Sequence, residues 1–480
     1  MAEEASIVWF RQDLRLEDNV ALAEAVKRGG PIIPVYVWAP EEEGDWAPGA
    51  ASRYWLHHSL KSLHEDLQSA GSRLIVRRGS SLDELESVAR SVNAGALFWN
   101  RRYEPAIRER DERVKQAFKD RGVEVKSFNG SLLVEPWEVA TKQGGPYKVF
   151  TPFWKACVQQ LDPPEPLPAP KEIRAPDSWP KYLRVETLEL EPKVDWAGGI
   201  RKAWSFGEDA AHERFEAFLD EWLPDYSEGR DRPERETTSR LSPHLHFGEI
   251  GPRQVWHAVQ AAASEHNSRE ARLGAEKFLG ELAWREFSYN LLYNFPHLPH
   301  APMQEKFAGF PWGDDDEALE AWQRGETGYP IVDAGMRQLW ETGWMHNRIR
   351  MIVASLLTKD LLISWKEGAR WFWDTLVDGD LANNTQGWQW TAGCGADAAP
   401  YFRIFNPVTQ GERYDPKGSY VRCWVPELAE LPDKWIHKPW EAPTGVLEAA
   451  EVDLDKTYPL PIISHSEARA RALAAYGRIK

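Results

Sequence analysis

Glu281, Trp284 and Arg285 combine a carboxylate, an indole and a guanidinium at spacings of three and four, which put side chains on one helical face. A surface Glu–Arg pair satisfies this pattern. With an aromatic between the charges, so does a floor for a planar ligand. Asn347 and Met351 share a second face, and neither side chain can deliver a proton. Arg350 and Asp378 could close as a buried ion pair, structural or functional. Thr238, Ser239 and Ser242 gather hydroxyls and amides at a predicted helix start, which suits an ordinary N-cap or an anion. Arg230, Arg348 and Arg403 offer forks that match phosphates, though a solvated surface also explains Arg230. His244, His246, His297 and His300 lack cysteine or carboxylate partners at zinc spacing and read as structural. No GxSxG or HExxH motif occurs, a pattern that fits chemistry carried by a cofactor.

The elements that must hold these residues divide the chain in two. Up to about residue 130, short apolar runs (6–10, 31–38, 73–78, 96–100, 123–128) alternate with helical patterns (19–27, 51–70, 81–92, 105–121). Near-continuous apolar strands between helices predict a parallel five-stranded sheet, doubly wound and covered on both faces. No GxGxxG or GxxxxGK[ST] follows the first strand, so the usual phosphate cradle is absent. Residues 161–195 are proline-rich and predict a connector without helix or strand. Beyond residue 206 helical periodicity dominates, in 210–222, 252–262, 272–293, 317–324, 331–342, 347–362 and 365–376. The expected division is an α/β domain over 1–132, a connector over 133–205 and a large all-α domain over 206–480.

Composition sets limits. A net charge of −16 argues against a surface coated for nonspecific nucleic-acid binding, so any DNA site must be a local basic patch. The three cysteines, Cys157, Cys394 and Cys423, are dispersed and fit a reducing cytosol. No apolar run approaches the roughly 20 residues of a membrane span, and no signal-peptide core opens the chain. Twenty-five tryptophans are far above the ordinary share; most read as core anchors, the rest as placed for electron transfer and stacking.

Several segments, in order and at matching spacing, resemble the DNA photolyase/cryptochrome family. They are Val8–Arg15 (VWFRQDLR), Thr238–Ser242 (TSRLS), Trp284–Phe287 (WREF), Gly343–Arg348 (GWMHNR), Asp378–Asp380 through Trp388–Trp390, and Ala399–Pro407 (APYFRIFNP). The resemblance implies FAD in the helical domain. Tyr226 and the stretch Thr238, Ser239, Arg240, Leu241 and Ser242 would grip its phosphates. Glu281, Arg285, Asn347, Arg350, Asp378, Asp380 and Asn384 would complete the cofactor site. Asn384 takes the position facing flavin N5, where an amide can hydrogen-bond but has no acidic proton to give.

By the same resemblance Trp284 stacks on a pyrimidine dimer, Glu281 binds its polar edge, and Trp390 is the opposite wall. Asn347 and Met351 stand where photolyases of (6-4) lesions carry histidines, which points to cyclobutane dimers. Trp388, Trp365 and Trp312 correspond to a chain that reduces FAD under light. Arg230, Arg348 and Arg403 would contact DNA phosphates.

The expected protein is therefore a light-driven cyclobutane-dimer repair enzyme: monomeric, cytoplasmic, acting on damaged DNA, without a metal or membrane partner. Asn383–Trp388 and Thr391–Gly395 look similar to the class III bacterial branch, with class I close. A second, antenna chromophore is expected at the N-terminal domain, methenyltetrahydrofolate by family preference, in a region to which Asn100, Tyr103 and Glu104 could contribute. The alternatives are a (6-4) photolyase or a signalling cryptochrome, which would be expected to carry an acid at position 384 or a long C-terminal extension; the family core ends shortly before Lys480.

Overall fold

The computed structural model describes residues 4–479, so residues 1–3 and Lys480 of the expected domains lie outside it. Strands β1 (Ala5–Phe10), β2 (Ile32–Trp38), β3 (Ile75–Arg78), β4 (Ala94–Asn100) and β5 (Glu124–Phe128) form one parallel sheet in the order β3-β2-β1-β4-β5. Parallel neighbours need crossovers. Helices α1 (Val20–Arg28), α2 (Ala50–Ser69), α3 (Ser81–Val92) and α4 (Pro105–Asp120) supply them. Along β1, Val8 and Phe10 pack in one core with Leu22 and Leu60, while Ile7 and Trp9 pack in another with Val88 and Phe118. Both faces of the inner strands are covered, which explains why β1, β2 and β4 read as nearly continuous apolar runs, while the edge strand β5 is half-exposed.

The proline-rich segment is an ordered strap. Asp18 N donates to Leu167 O (2.7 Å), Ile173 N to Ala70 O (2.8 Å) and Leu183 N to Val76 O (2.9 Å). Its only regular turn is a short 3-10 helix, Val185–Leu188, which was not expected. The expected connector also contains a full helix, α5 (Phe150–Gln160). Pro152 stands in its first turn, where no intrahelical donor is lost.

After Phe128 the described residues form helices, turns and isolated bridges. Four helices frame the site: α6 (Arg269–Asn294), α7 (Asn347–Ser355), α8 (Trp365–Thr375) and α9 (Leu381–Ala392). The expected helices over 210–222 and 347–362 are each interrupted by a π turn, at Phe218–Trp222 and Leu356–Asp360. Buried carboxylates tie the helical part to the α/β domain and to the start of the connector. Glu208 accepts from Leu16 N (2.6 Å) and Glu17 N (2.8 Å), and Glu286 from Leu133 N (2.8 Å) and Val134 N (3.1 Å).

Candidate functional site

Helix α9 starts on Asp380, whose carboxylate accepts from Asn383 N at 2.8 Å. One turn on, Asn384 Nδ2 donates to Ala369 O of α8 at 2.9 Å, and no described donor reaches its Oδ1. The expected Arg350–Asp378 pair forms: Arg350 NH2 donates at 2.8 and 3.1 Å, while its Nε donates to Met345 O at 2.7 Å. Helix α7 is capped by His346 Nδ1, which accepts from Arg348 N at 3.2 Å; Asn347 is exposed and Met351 half-buried.

Of the two readings of Thr238, Ser239 and Ser242, an ordinary N-cap or an anion site, the hydroxyl N-cap does not occur. The helix there, Ser242–Phe247, has Leu241 at its cap position and no side-chain cap bond. Ser239 Oγ accepts from Leu241 N (3.3 Å), Ser242 Oγ accepts from Trp344 Nε1 (3.3 Å), and Thr238 is half-buried. Arg240 has φ 52°, a left-handed conformation costly for a residue with a Cβ. Its guanidinium lies between Trp204 and Trp344, 4.3 and 5.1 Å from the rings, and burial lowers its pKa to about 10.

Two electrostatic features stand out. Burial alone would raise the pKa of Asp380, but nearby His246, Arg285 and Tyr289 hold it at about 2. His246 Nδ1 lies 3.7 Å from Asp380 Oδ2, an ion-pair separation, while its Nε2 meets Gln12 Nε2 at 3.2 Å. Burial pushes His346 down to about 4, so it is neutral at neutral pH.

The same region holds buried polar atoms without a protein partner: Thr237 Oγ1, Arg240 Nε, Arg232 Nε, Glu234 Oε2, His346 Nε2 and Arg348 Nε. Such atoms cost about 1–3 kcal/mol each unless a ligand satisfies them. Mostly donors, gathered on 232–240 and 346–348, they fit a ligand rich in acceptor oxygens, as the phosphates and ribose of FAD are.

On α6, the common face of Glu281, Trp284 and Arg285 diverges at the side-chain tips. Glu281 accepts from Arg230 NH1 at 2.5 Å. Trp284 is half-buried, stacked on Phe150 of α5. Arg285 turns inward, donating to Ser131 O at 2.6 Å beside Tyr289. Arg348, expected to be available for phosphate, donates to Asp231 at 2.8 Å and lies 4.4 Å over the Tyr414 ring. Arg230 is likewise engaged, by Glu281. Arg403 is exposed and has no ion-pair partner among the described residues.

Comparison with known proteins bears on this geometry. Residues 278–478 match the family model described as the FAD binding domain of DNA photolyase, and residues 6–171 the model described as DNA photolyase. The chain is 50% identical over 475 residues to a deoxyribodipyrimidine photo-lyase of Agrobacterium fabrum, covering 99% of this chain and 98% of the relative. This chain belongs to the DNA photolyase and cryptochrome family. It is also 43% identical over 471 residues to Cryptochrome-1 of Arabidopsis thaliana, covering 97% of this chain and 69% of that one. A crystal structure of a bacterial class III photolyase from Agrobacterium tumefaciens superposes with a TM-score of 0.96 at 49% identity, covering 100% of this chain and 98% of that one. FAD is thus the cofactor, as expected.

The three tryptophans expected to pass electrons lie in or against one core. Trp388 is 3% exposed, Trp365 2%, and Trp312 half-buried. Gly368 of α8 lets Trp388 approach, since a Cβ there would sit 2.0 Å from its ring. Gly313 N donates to Leu362 O at 2.8 Å, bringing the Trp312 segment beside the start of α8, where Trp365 stands. Trp390, two residues after Trp388, is half-buried on α9.

Sequence reasoning missed Phe150, Asp231 and the polar role of two histidines. His244 meets Glu249 at 2.5 Å and His246 meets Asp380, so both have the carboxylate partners the sequence did not reveal. His346 stood in the quoted GWMHNR motif and could have been found there. Asn100, Tyr103 and Glu104 are spent on internal bonds, to Asp13 and Asn19, to Glu135, and to Arg102, and line neither of the two hollows at the sheet's edge.

Proposed function

We propose that this chain is a class III cyclobutane pyrimidine dimer photolyase, a monomeric cytoplasmic enzyme that binds damaged DNA. The observation that carries the reading is Asn384: its Nδ2 is tied to Ala369 O, which leaves Oδ1 as the acceptor at the position where a cryptochrome would be expected to carry an acid. When bound and reduced, FAD supplies the light-driven electron. The chain's part is to hold, orient and exclude.

Tyr226, Thr238, Ser239, Arg240, Leu241 and Ser242 would hold the FAD phosphates. Arg350, Asp378, Asp380 and Arg285 would fix the charge around the ring, with Asn384 at its reactive nitrogen. Trp284, backed by Phe150, and Trp390 would clamp the dimer, and Glu281 would bind its edge. A flipped base is held in this way, between apolar surfaces and edge-reading bonds. Asn347 and Met351 complete the cavity with no proton to deliver, which suits ring splitting without an acid. Trp388, Trp365 and Trp312 would restore reduced FAD. Arg230, Arg348 and Arg403 would position the DNA backbone. The domain limits we assign are 1–132, 133–205 and 206–480.

For the second chromophore we favour methenyltetrahydrofolate. A hollow of about 470 Å³ beside the sheet is lined by Trp38 and Trp196, with Arg53, Arg78 and Lys193 set against Glu189 and Glu191. Its indoles suit a pterin ring. No helix of the described residues is long and apolar enough to cross a membrane.

The test is to offer flavin-loaded protein two oligonucleotides, one with a cyclobutane thymine dimer and one with a (6-4) product, in blue light and in darkness. Light-dependent restoration of the first alone is expected. Restoration of the second alone would reverse the substrate assignment. A light-induced spectral change without repair of either would indicate a cryptochrome.

A further inference from the structure

Arg230 and Glu281 bond to each other, although the proposed function gives them different partners, a phosphate and a base edge. Arg230 NH1 donates to Glu281 Oε1 at 2.5 Å, and its guanidinium lies 5.5 Å over the Tyr226 ring. The arginine side chain is 18% exposed and the carboxylate side chain 39%. Asp231 is adjacent, already bonded to Arg348, and His346 lies nearby without positive charge at neutral pH. Glu281 therefore has Arg230 as its one ion-pair partner among the described residues.

We propose that this pair is a latch that makes phosphate binding by Arg230 conditional on lesion recognition by Glu281, so that together they set the preference for damaged over intact DNA. The inference rests on the function proposed above. An intact duplex offers phosphates but puts no base edge into the cavity. For Arg230 to reach a phosphate it must leave Glu281, and the half-buried carboxylate then loses its one ion-pair partner among the described residues. A flipped dimer presents imide N–H groups, which can replace the guanidinium as donors to Glu281. The opening cost is then offset for the lesion and not for intact DNA. A mere surface ion pair would be broken equally by both.

Salt dependence of binding in the dark reads the latch, because each phosphate neutralised adds about 0.9 to the slope of log K against log salt. Dimer-containing and intact duplexes of one sequence are titrated with flavin-loaded wild type, Arg230→Ala and Glu281→Gln, and with the double variant. Arg230→Ala is expected to flatten the slope by about 0.9 for the dimer duplex and to leave the intact-duplex slope unchanged. Glu281→Gln is expected to steepen the intact-duplex slope by about 0.9 and lower the preference for damage, and adding Arg230→Ala should abolish the steepening. Retained flavin absorbance reports folding, with Arg230→Gln as a second variant. Equal flattening for both duplexes by Arg230→Ala, or an unchanged intact-duplex slope in Glu281→Gln, overturns the latch alone. Equal wild-type affinity for both duplexes would instead overturn the lesion-binding function on which it rests.

Discussion

Phe150 lies flat against Trp284, with ring centroids 3.9 Å apart and 7° between the planes. The contact joins the first residue of α5 to the face of α6 that we assign to the lesion, and Phe150 N is itself fixed by Asp397 at 3.1 Å. One face of the indole is thus covered by Phe150. Stacked aromatic pairs are worth about 0.5–1.5 kcal/mol beyond area burial. Phe150→Ala should therefore weaken binding of a dimer-containing duplex in the dark by roughly two- to tenfold, with flavin content unchanged. Fluorescence anisotropy measures this directly.

Trp365 opens α8 and is 2% exposed, in the core that also holds Trp388 and against which Trp312 packs. Replacement by Phe keeps the packing and removes the indole's capacity to pass an electron. Light-driven reduction of oxidised flavin should fall at least tenfold. Repair by protein reduced chemically beforehand should stay within about twofold of wild type. Loss of both would show that Trp365 serves the fold or the repair step.

How much of this was legible in the chain depended on whether the signal was local. The inner strands β1, β2 and β4 were legible because burial on both faces writes them as nearly unbroken apolar runs, whereas the edge strand β5 carries Glu124 and Lys126 and is only partly buried. The Arg350–Asp378 pair was legible from residue types. Helix α9 was not, since Asn383, Asn384, Thr385 and Gly387 are poor helix formers; Asp380 at its start and packing against α6 and α8 override propensity. The helix α5 was hidden by neighbouring prolines, and with it Phe150. The engagement of Arg230 and Arg348 depended on Glu281 and Asp231, contacts over 51 and 117 residues that no spacing rule reveals.

Asn384→Asp would exchange the amide that bonds Ala369 O for a carboxyl that cannot donate there when ionised and can release a proton when neutral. The protein should still bind FAD, because the orphaned polar atoms lie on other segments. Its rate of light-driven dimer repair should fall at least tenfold, measured by thymine recovery. Repair at the wild-type rate would remove Asn384 from the reacting centre.

Asp380 supplies a pH dependence of known sign. Its pKa in the fold, about 2, lies below the ordinary 3.8. The stabilisation is therefore complete above about pH 4 and is lost as pH falls toward 2, by about 2 kcal/mol. Glu208 and Glu286, pushed up to about 7 by burial, act with opposite sign and lose stability as pH rises from 4.5 through 7, outside that window. Asp380→Asn can still cap α9 and should flatten the acid limb alone. Urea unfolding at a series of pH values measures the difference.

The central claim concerns one cavity in which a reduced flavin meets a pyrimidine dimer, and single-flash repair examines it most directly. Flavin-loaded protein, reduced anaerobically and saturated with a thymine-dimer oligonucleotide, receives one blue flash while thymine absorbance is followed. A step increase in that absorbance, absent in darkness and absent with intact oligonucleotide, is the expected result. A flat trace from protein that holds reduced flavin and bound dimer would contradict the account.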